Sequence, residues 1–135
     1  MFERVDHVGI AVEDLDGALP LYTEALGMEL VARETLPDQG VEAALLDRGG
    51  EHIELLAPLG PETTVGRFLA RRGPGVHHVA YGVGDIDATL AQLTARGVEL
   101  IDTAPRQGLH ASRVAFVHPR ASAGVLSEIV EAARA

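Results

Sequence analysis

The chain has 135 residues, 47% of them hydrophobic and 23% charged, with a formal net charge of −9 and no cysteine. That length fits one compact domain, and the acidity excludes nucleic acid and anionic membrane surfaces as partners. The missing thiols exclude disulfides, thiolate metal ligands and cysteine nucleophiles, and because all 11 basic residues are Arg, Schiff-base lysine chemistry is excluded as well.

In chain order, residues 1–6 lead straight into an alternating strand with no secretory signal pattern, and no apolar run is long enough to span a membrane, so a cytoplasmic protein is expected. The strand is His7-Val8-Gly9-Ile10-Ala11-Val12. Asp14 then caps a helix whose apolar positions are Leu15, Leu19, Tyr22 and Leu26, and Gly27 closes it. Pro20 lies inside that helix and should kink or shorten it. An extended run over 28–33 follows, then strands over 41–46 and 51–56 joined by Asp47-Arg48-Gly49-Gly50, a strong hairpin signal. Residues 60–75 hold a short connecting helix with Val65, Phe68 and Leu69 on its apolar face, ending at Gly73-Pro74-Gly75. A second alternating strand opens at His78, and Asp85 caps a helix with Ile86, Leu90 and Leu93 on one face and Gly97 at its end. Extended runs are expected over 98–102, 113–117 and 125–130. Each half therefore reads βαβββ, with modules at about 1–59 and 75–135 joined by the helical linker into a single domain over 1–135.

The halves also repeat their polar residues. His7-Val8-Gly9-Ile10-Ala11-Val12-Glu13-Asp14 returns as His78-Val79-Ala80-Tyr81-Gly82-Val83-Gly84-Asp85, and Ile53-Glu54-Leu55-Leu56 returns as Ser127-Glu128-Ile129-Val130. Successive strand residues face opposite sides of a sheet. His7 thus shares a face with Gly9 and Ala11, and His78 with Ala80 and Gly82. A face meant for packing would carry larger side chains, each contributing roughly 1.5–3 kcal/mol on burial. Small residues beside a histidine leave instead an open floor with one projecting ligand. Two His and two Glu, His7, Glu54, His78 and Glu128, suit a divalent cation of intermediate softness with open positions for substrate oxygens. The other histidines have plainer readings: His77 points to the opposite face, His52 lies toward a strand end, His118 sits in a turn and His110 in a solvated loop.

With these residues in view, the chain resembles the vicinal oxygen chelate superfamily and, within it, the methylmalonyl-CoA epimerases. The broader signals are His7, Glu54, His78 and Glu128 with Leu21-Tyr22 and Leu26-Gly27-Met28. The epimerase-like ones are Gln39-Gly40-Val41, Glu54-Leu55-Leu56-Ala57-Pro58-Leu59, Gly75-Val76-His77-His78, Pro105-Arg106-Gln107-Gly108 and Val114-Ala115-Phe116-Val117-His118-Pro119. The resemblance implies an α+β fold in which two tandem βαβββ modules form a curved mixed sheet around a metal-binding cleft. It implies inversion of the α-carbon of methylmalonyl-CoA through a metal-stabilised enolate by a homodimeric enzyme. The implied metal is cobalt, with Ni, Mn, Zn or Mg as alternatives, held by His7, Glu54, His78 and Glu128, and Glu128 is the implied proton-transfer base. Some epimerases carry a further glutamate in the strand after the Gln-Gly-Val motif. Here Ala43 holds that place and Glu42 comes one residue early; a two-residue turn at Arg48-Gly49 or Gly49-Gly50 would face Ala43 toward Glu54 and Glu42 away. Two other functions share the pattern, a glyoxalase-type lyase or isomerase acting on a thiol adduct and a binding module for metal-chelating drugs, although such modules typically lack the full ligand set. Arg67, Arg71, Arg72, Arg106 and Arg120 are the candidates for coenzyme A phosphate contacts, against the plainer reading of solvated surface arginines.

Overall fold

The computed structural model of the chain describes residues 2–133. They divide into two compact units, one running from His7 to His77 and the other joining the residues before it to those from His78 onward. The α+β class and the duplicated βαβββ order expected from the sequence are both present.

The His7–His77 unit carries the greater part of β1 (Arg4–Ala11), then α1 (Leu15–Pro20), β2 (Glu29–Leu36), β3 (Val41–Arg48), β4 (Glu51–Pro58) and α2 (Thr64–Arg72). Its strands lie in the order β2-β3-β4-β1. β1 runs parallel to β4 while β3 is antiparallel to both β2 and β4, which makes the sheet mixed. The register Arg48↔Glu51 leaves Gly49 and Gly50 as a two-residue turn. Their φ values of 60° and 88° are the pair of positive angles that a type I′ hairpin demands and that glycine supplies at least cost.

Asp14 caps α1 by accepting a hydrogen bond from the Gly17 N–H at 2.9 Å. Regular α-helix stops at Pro20, and residues 21–25 continue as a π-turn in which the Leu26 N–H bonds the Leu21 carbonyl at 2.9 Å. Proline has no N–H to return to the preceding turn and its ring crowds the carbonyl there. The helix widens rather than ends. Leu15 then packs with Ala44, Leu46, Leu55 and Ala57, and Ile10, Val12, Leu19 and Tyr22 close round them.

α2 starts where Thr63 Oγ1 accepts from the Gly66 N–H at 3.0 Å. A Cβ on Gly66 would collide with the Gly60 carbonyl oxygen and lie 2.9 Å from the Pro61 backbone, neither of which is a flexible side chain. Gly66→Ala should therefore cost about 1–3 kcal/mol, the usual range for overpacking, and lower the thermal midpoint. A midpoint unchanged from wild type in thermal denaturation would contradict this packing.

The other unit carries the greater part of β5 (Gly75–Gly82), then α3 (Ile86–Ala95), β6 (Arg106–Gln107), β7 (Arg113–Val117) and β8 (Ser127–Glu131), with strands in the order β5-β8-β7-β6. β5 is parallel to β8, and β7 is antiparallel to β6 and β8. Asp85 caps α3 through the Ala88 N–H at 3.0 Å, repeating Asp14. Ile86, Leu90, Val83, Ala115, Val117 and Ile129 form the core beneath the helix. One expected strand is replaced. The run over 98–102 makes only an isolated bridge, Leu100↔Val117, because the N–H groups of Ile101 and Asp102 both turn onto the Phe116 carbonyl. The Asp102 carboxylate then takes the Phe116 N–H at 2.9 Å. The outer strand forms later, at β6. Among the described residues no helix is long and apolar enough to cross a membrane.

Candidate metal centre

In each unit a parallel strand pair sets one histidine and one glutamate together. The β1–β4 register pairs Gly9 with Glu54, so His7, Gly9, Ala11 and Glu54 share the face away from α1. His7 Nε2 lies 3.6 Å from Glu54 Oε1. The β5–β8 register pairs Ala80 with Glu128, so His78, Ala80, Gly82 and Glu128 share the face away from α3. His78 Nε2 lies 3.4 Å from Glu128 Oε1. The glycines and alanines keep the floor low beside each pair, as the alternation required.

All four are buried and of types that hold metal ions: His7 is 5% exposed, Glu54 7%, His78 1% and Glu128 3%. Burial of a carboxylate is expensive unless a cation or strong hydrogen bonds accompany it. The His–Glu separations are longer than the 2.7–2.9 Å of a charge-assisted hydrogen bond. Two donors each about 2.1 Å from a common ion stand roughly 3.0–3.4 Å apart. The His78–Glu128 separation matches that spacing and the His7–Glu54 separation lies just above it, and both are too long for a charge-assisted hydrogen bond, so a divalent cation suits the donor set better than two His–Glu hydrogen bonds.

The β7–β8 register sets Phe116 beside Glu128, and its ring meets His78 edge to face with centroids 5.7 Å apart. The Arg106 guanidinium lies over the Phe116 ring, 5.8 Å from its centroid, and Arg106 Nε is 3.1 Å from Asp102 Oδ1. Phe116 thus walls the His78–Glu128 pair from one side and is itself pinned. In the sequence Phe116 stands out only as part of the motif over 114–119; the signal that could have found it is the alternation in β7, where Ala115 and Val117 face the helix.

The remaining histidines behave as the sequence suggested. His77 packs its ring on Phe68 of α2 at 5.0 Å, His52 pairs with Asp47 at 3.0 Å, and His118 Nδ1 accepts from the Arg120 N–H at 3.1 Å in a turn. His110 lies in a short 3-10 turn with φ 56°. Ala43 is paired with Leu56 and lies on the Glu54 face, fully buried. Glu42 faces the other way, where it and Asp16 bind Arg33 and raise its already high pKa. Of the arginines considered for phosphate, Arg120 pairs with Glu99 at 2.8 Å and Arg72 stacks over Phe68.

The duplicated modules and their paired His/Glu strands define a class of protein. The chain belongs to the glyoxalase/bleomycin resistance protein/dioxygenase superfamily, which it matches over residues 6–116. More particularly, it is 37% identical to an ethylmalonyl-CoA/methylmalonyl-CoA epimerase of Cereibacter sphaeroides, over 96% of this chain and 98% of the relative. A methylmalonyl-CoA epimerase structure from Mycobacterium tuberculosis is 43% identical with a TM-score of 0.94, covering 98% of this chain and 90% of that one. A variant of the Streptomyces coelicolor methylmalonyl-CoA epimerase, solved with 2-nitronate-propionyl-CoA, is 38% identical with a TM-score of 0.94, over 99% of this chain and 100% of that one.

Proposed function

We propose that this chain is a metal-dependent epimerase that inverts the α-carbon of methylmalonyl-CoA, with His7, Glu54, His78 and Glu128 sharing one divalent cation. The observation that carries the reading is the duplicated buried His/Glu pair. Each pair is half of a coordination set, and neither half alone supplies enough donors for a divalent ion. The epimerase relatives supply the substrate class, an acyl-CoA.

When bound, the cation supplies Lewis-acid stabilisation for the negative charge that develops as the α-proton leaves. The chain's residues do the rest. His7 and His78 are neutral donors, so the two carboxylates compensate the ion's charge. Glu128 takes the α-proton at a carboxylate oxygen and can return it. A carboxylate is a weak base, so the reaction needs a substrate acidified in place. Phe116 holds the His78 ring and keeps water from that side of Glu128. The same reading includes cobalt as the metal, a homodimer and a cytoplasmic location, which metal analysis, sedimentation and cell fractionation test.

Protein stripped with a chelator is expected to lose epimerase activity and to regain it with Co²⁺, and less fully with Zn²⁺, because a mixed imidazole and carboxylate set with open positions favours the ion that accepts six ligands readily. Full activity in the metal-free protein would contradict the proposal.

A further inference from the structure

Inversion at carbon requires that a proton leave one face and another arrive on the opposite face. Glu128 accounts for one face, and Ala43 offers nothing for the other. The sheet register in the His7–His77 unit points to a replacement. Leu30 is paired with Leu46, on the face that packs under α1, but the next pairing is Ala32↔Leu45, with Val31 left over as a bulge. In an unbroken strand Ala32 and Glu34 would share the face of Leu30. The bulge turns them over. Glu34 is then paired laterally with Ala43, on the face that carries Glu54 and His7, and is half-buried there. Ala43 has only a methyl group, and its partner on β4 is Leu56, two residues from Glu54 on the same face. A glutamate side chain is long enough to lie across one strand spacing of about 4.8 Å.

The other unit uses the corresponding position. Phe116 stands beside Glu128 as Leu45 stands beside Glu54, and Val114, two residues earlier, corresponds to Ala43. The residue paired with Val114 on the outer strand is Arg106. Each half therefore sets a long charged side chain at this place on its ligand face, and the charges are opposite: a guanidinium beyond Phe116 and a carboxylate beyond Ala43.

We infer that Glu34 is the second proton-transfer group, serving the α-carbon face that Glu128 does not; this rests on the epimerase reading. In each direction one carboxylate accepts the α-proton as the C–H bond breaks and the other, protonated, forms the new C–H bond, so no further reactant is needed.

The test uses the metal-loaded protein with each epimer of methylmalonyl-CoA in deuterated buffer. Glu34→Gln is expected to slow inversion by about 10²-fold or more, the usual weight of a positioned acid or base, with metal content and thermal midpoint unchanged. It should still exchange the α-proton of one epimer, because the group on the other face remains. Adding Ala43→Glu to Glu34→Gln, which returns a carboxylate to the same face one strand closer, is expected to recover part of the turnover. Unchanged inversion in Glu34→Gln, or equal loss of exchange from both epimers, would overturn the assignment. Wild-type inversion in the same assay carries the epimerase reading separately: an active wild type with an indifferent Glu34→Gln sinks this inference alone, and an inert wild type sinks both.

Discussion

Replacing either His7 or His78 with alanine is expected to abolish metal binding and to lower epimerase turnover by about 10³-fold, the upper range for loss of an electrostatic stabiliser. The reason is the equivalence of the two halves. Each histidine is the neutral donor beside a buried carboxylate, His7 with Glu54 and His78 with Glu128. Without its imidazole a half would contribute only its carboxylate, too little for the site to hold the ion against water. The fold should survive, because neither ring belongs to the helix-packed cores built on Leu15 and Ile86. The cavity left is lined on one side by a carboxylate, which water can solvate. Circular dichroism and metal content measured together on the two variants check this. Full metal stoichiometry with wild-type turnover in either would refute the shared site.

Glu128→Gln is expected to separate coordination from catalysis. Glutamine keeps the length and an oxygen donor, so the variant should retain substantial metal. It loses the basic carboxylate, and kcat should fall by about 10²–10⁴-fold. Glu54 occupies the equivalent register position, Gly9↔Glu54 against Ala80↔Glu128, and provides the internal control. Glu54→Gln should lose less, since an amide oxygen can still coordinate and no proton passes through it. Metal analysis and α-proton exchange on both variants decide the matter. Equal losses would make Glu128 a ligand only and put the base elsewhere.

Much of this arrangement is legible in the sequence because it rests on short-range rules that the chain states twice. Alternation set which side of β1 and β5 carries His7 and His78, and the Gly49-Gly50 turn fixed the β3–β4 register, which put Ala43 on the Glu54 face and sent Glu42 to Arg33. Pro20 announced the break in α1, though not that the chain would widen into a π-turn instead of stopping. What escaped the sequence were departures from regular pairing. A bulge leaves no mark in composition, so nothing around Val31 revealed that Ala32 and Glu34 change faces. Likewise the run over 98–102 has the alternation of a strand, but the Asp102 carboxylate competes for the Phe116 N–H and the ladder does not form. Both are cases in which a side chain or one extra residue overrides the local period, and both occur on outer strands, where fewer neighbours enforce the register.

The most direct test of the account is to incubate the metal-loaded protein with a single epimer of methylmalonyl-CoA in deuterated buffer and to follow C2 by NMR and chiral analysis. The account predicts appearance of the opposite epimer with deuterium at C2, dependent on the divalent metal. Retention of configuration with no deuterium at C2 would contradict it.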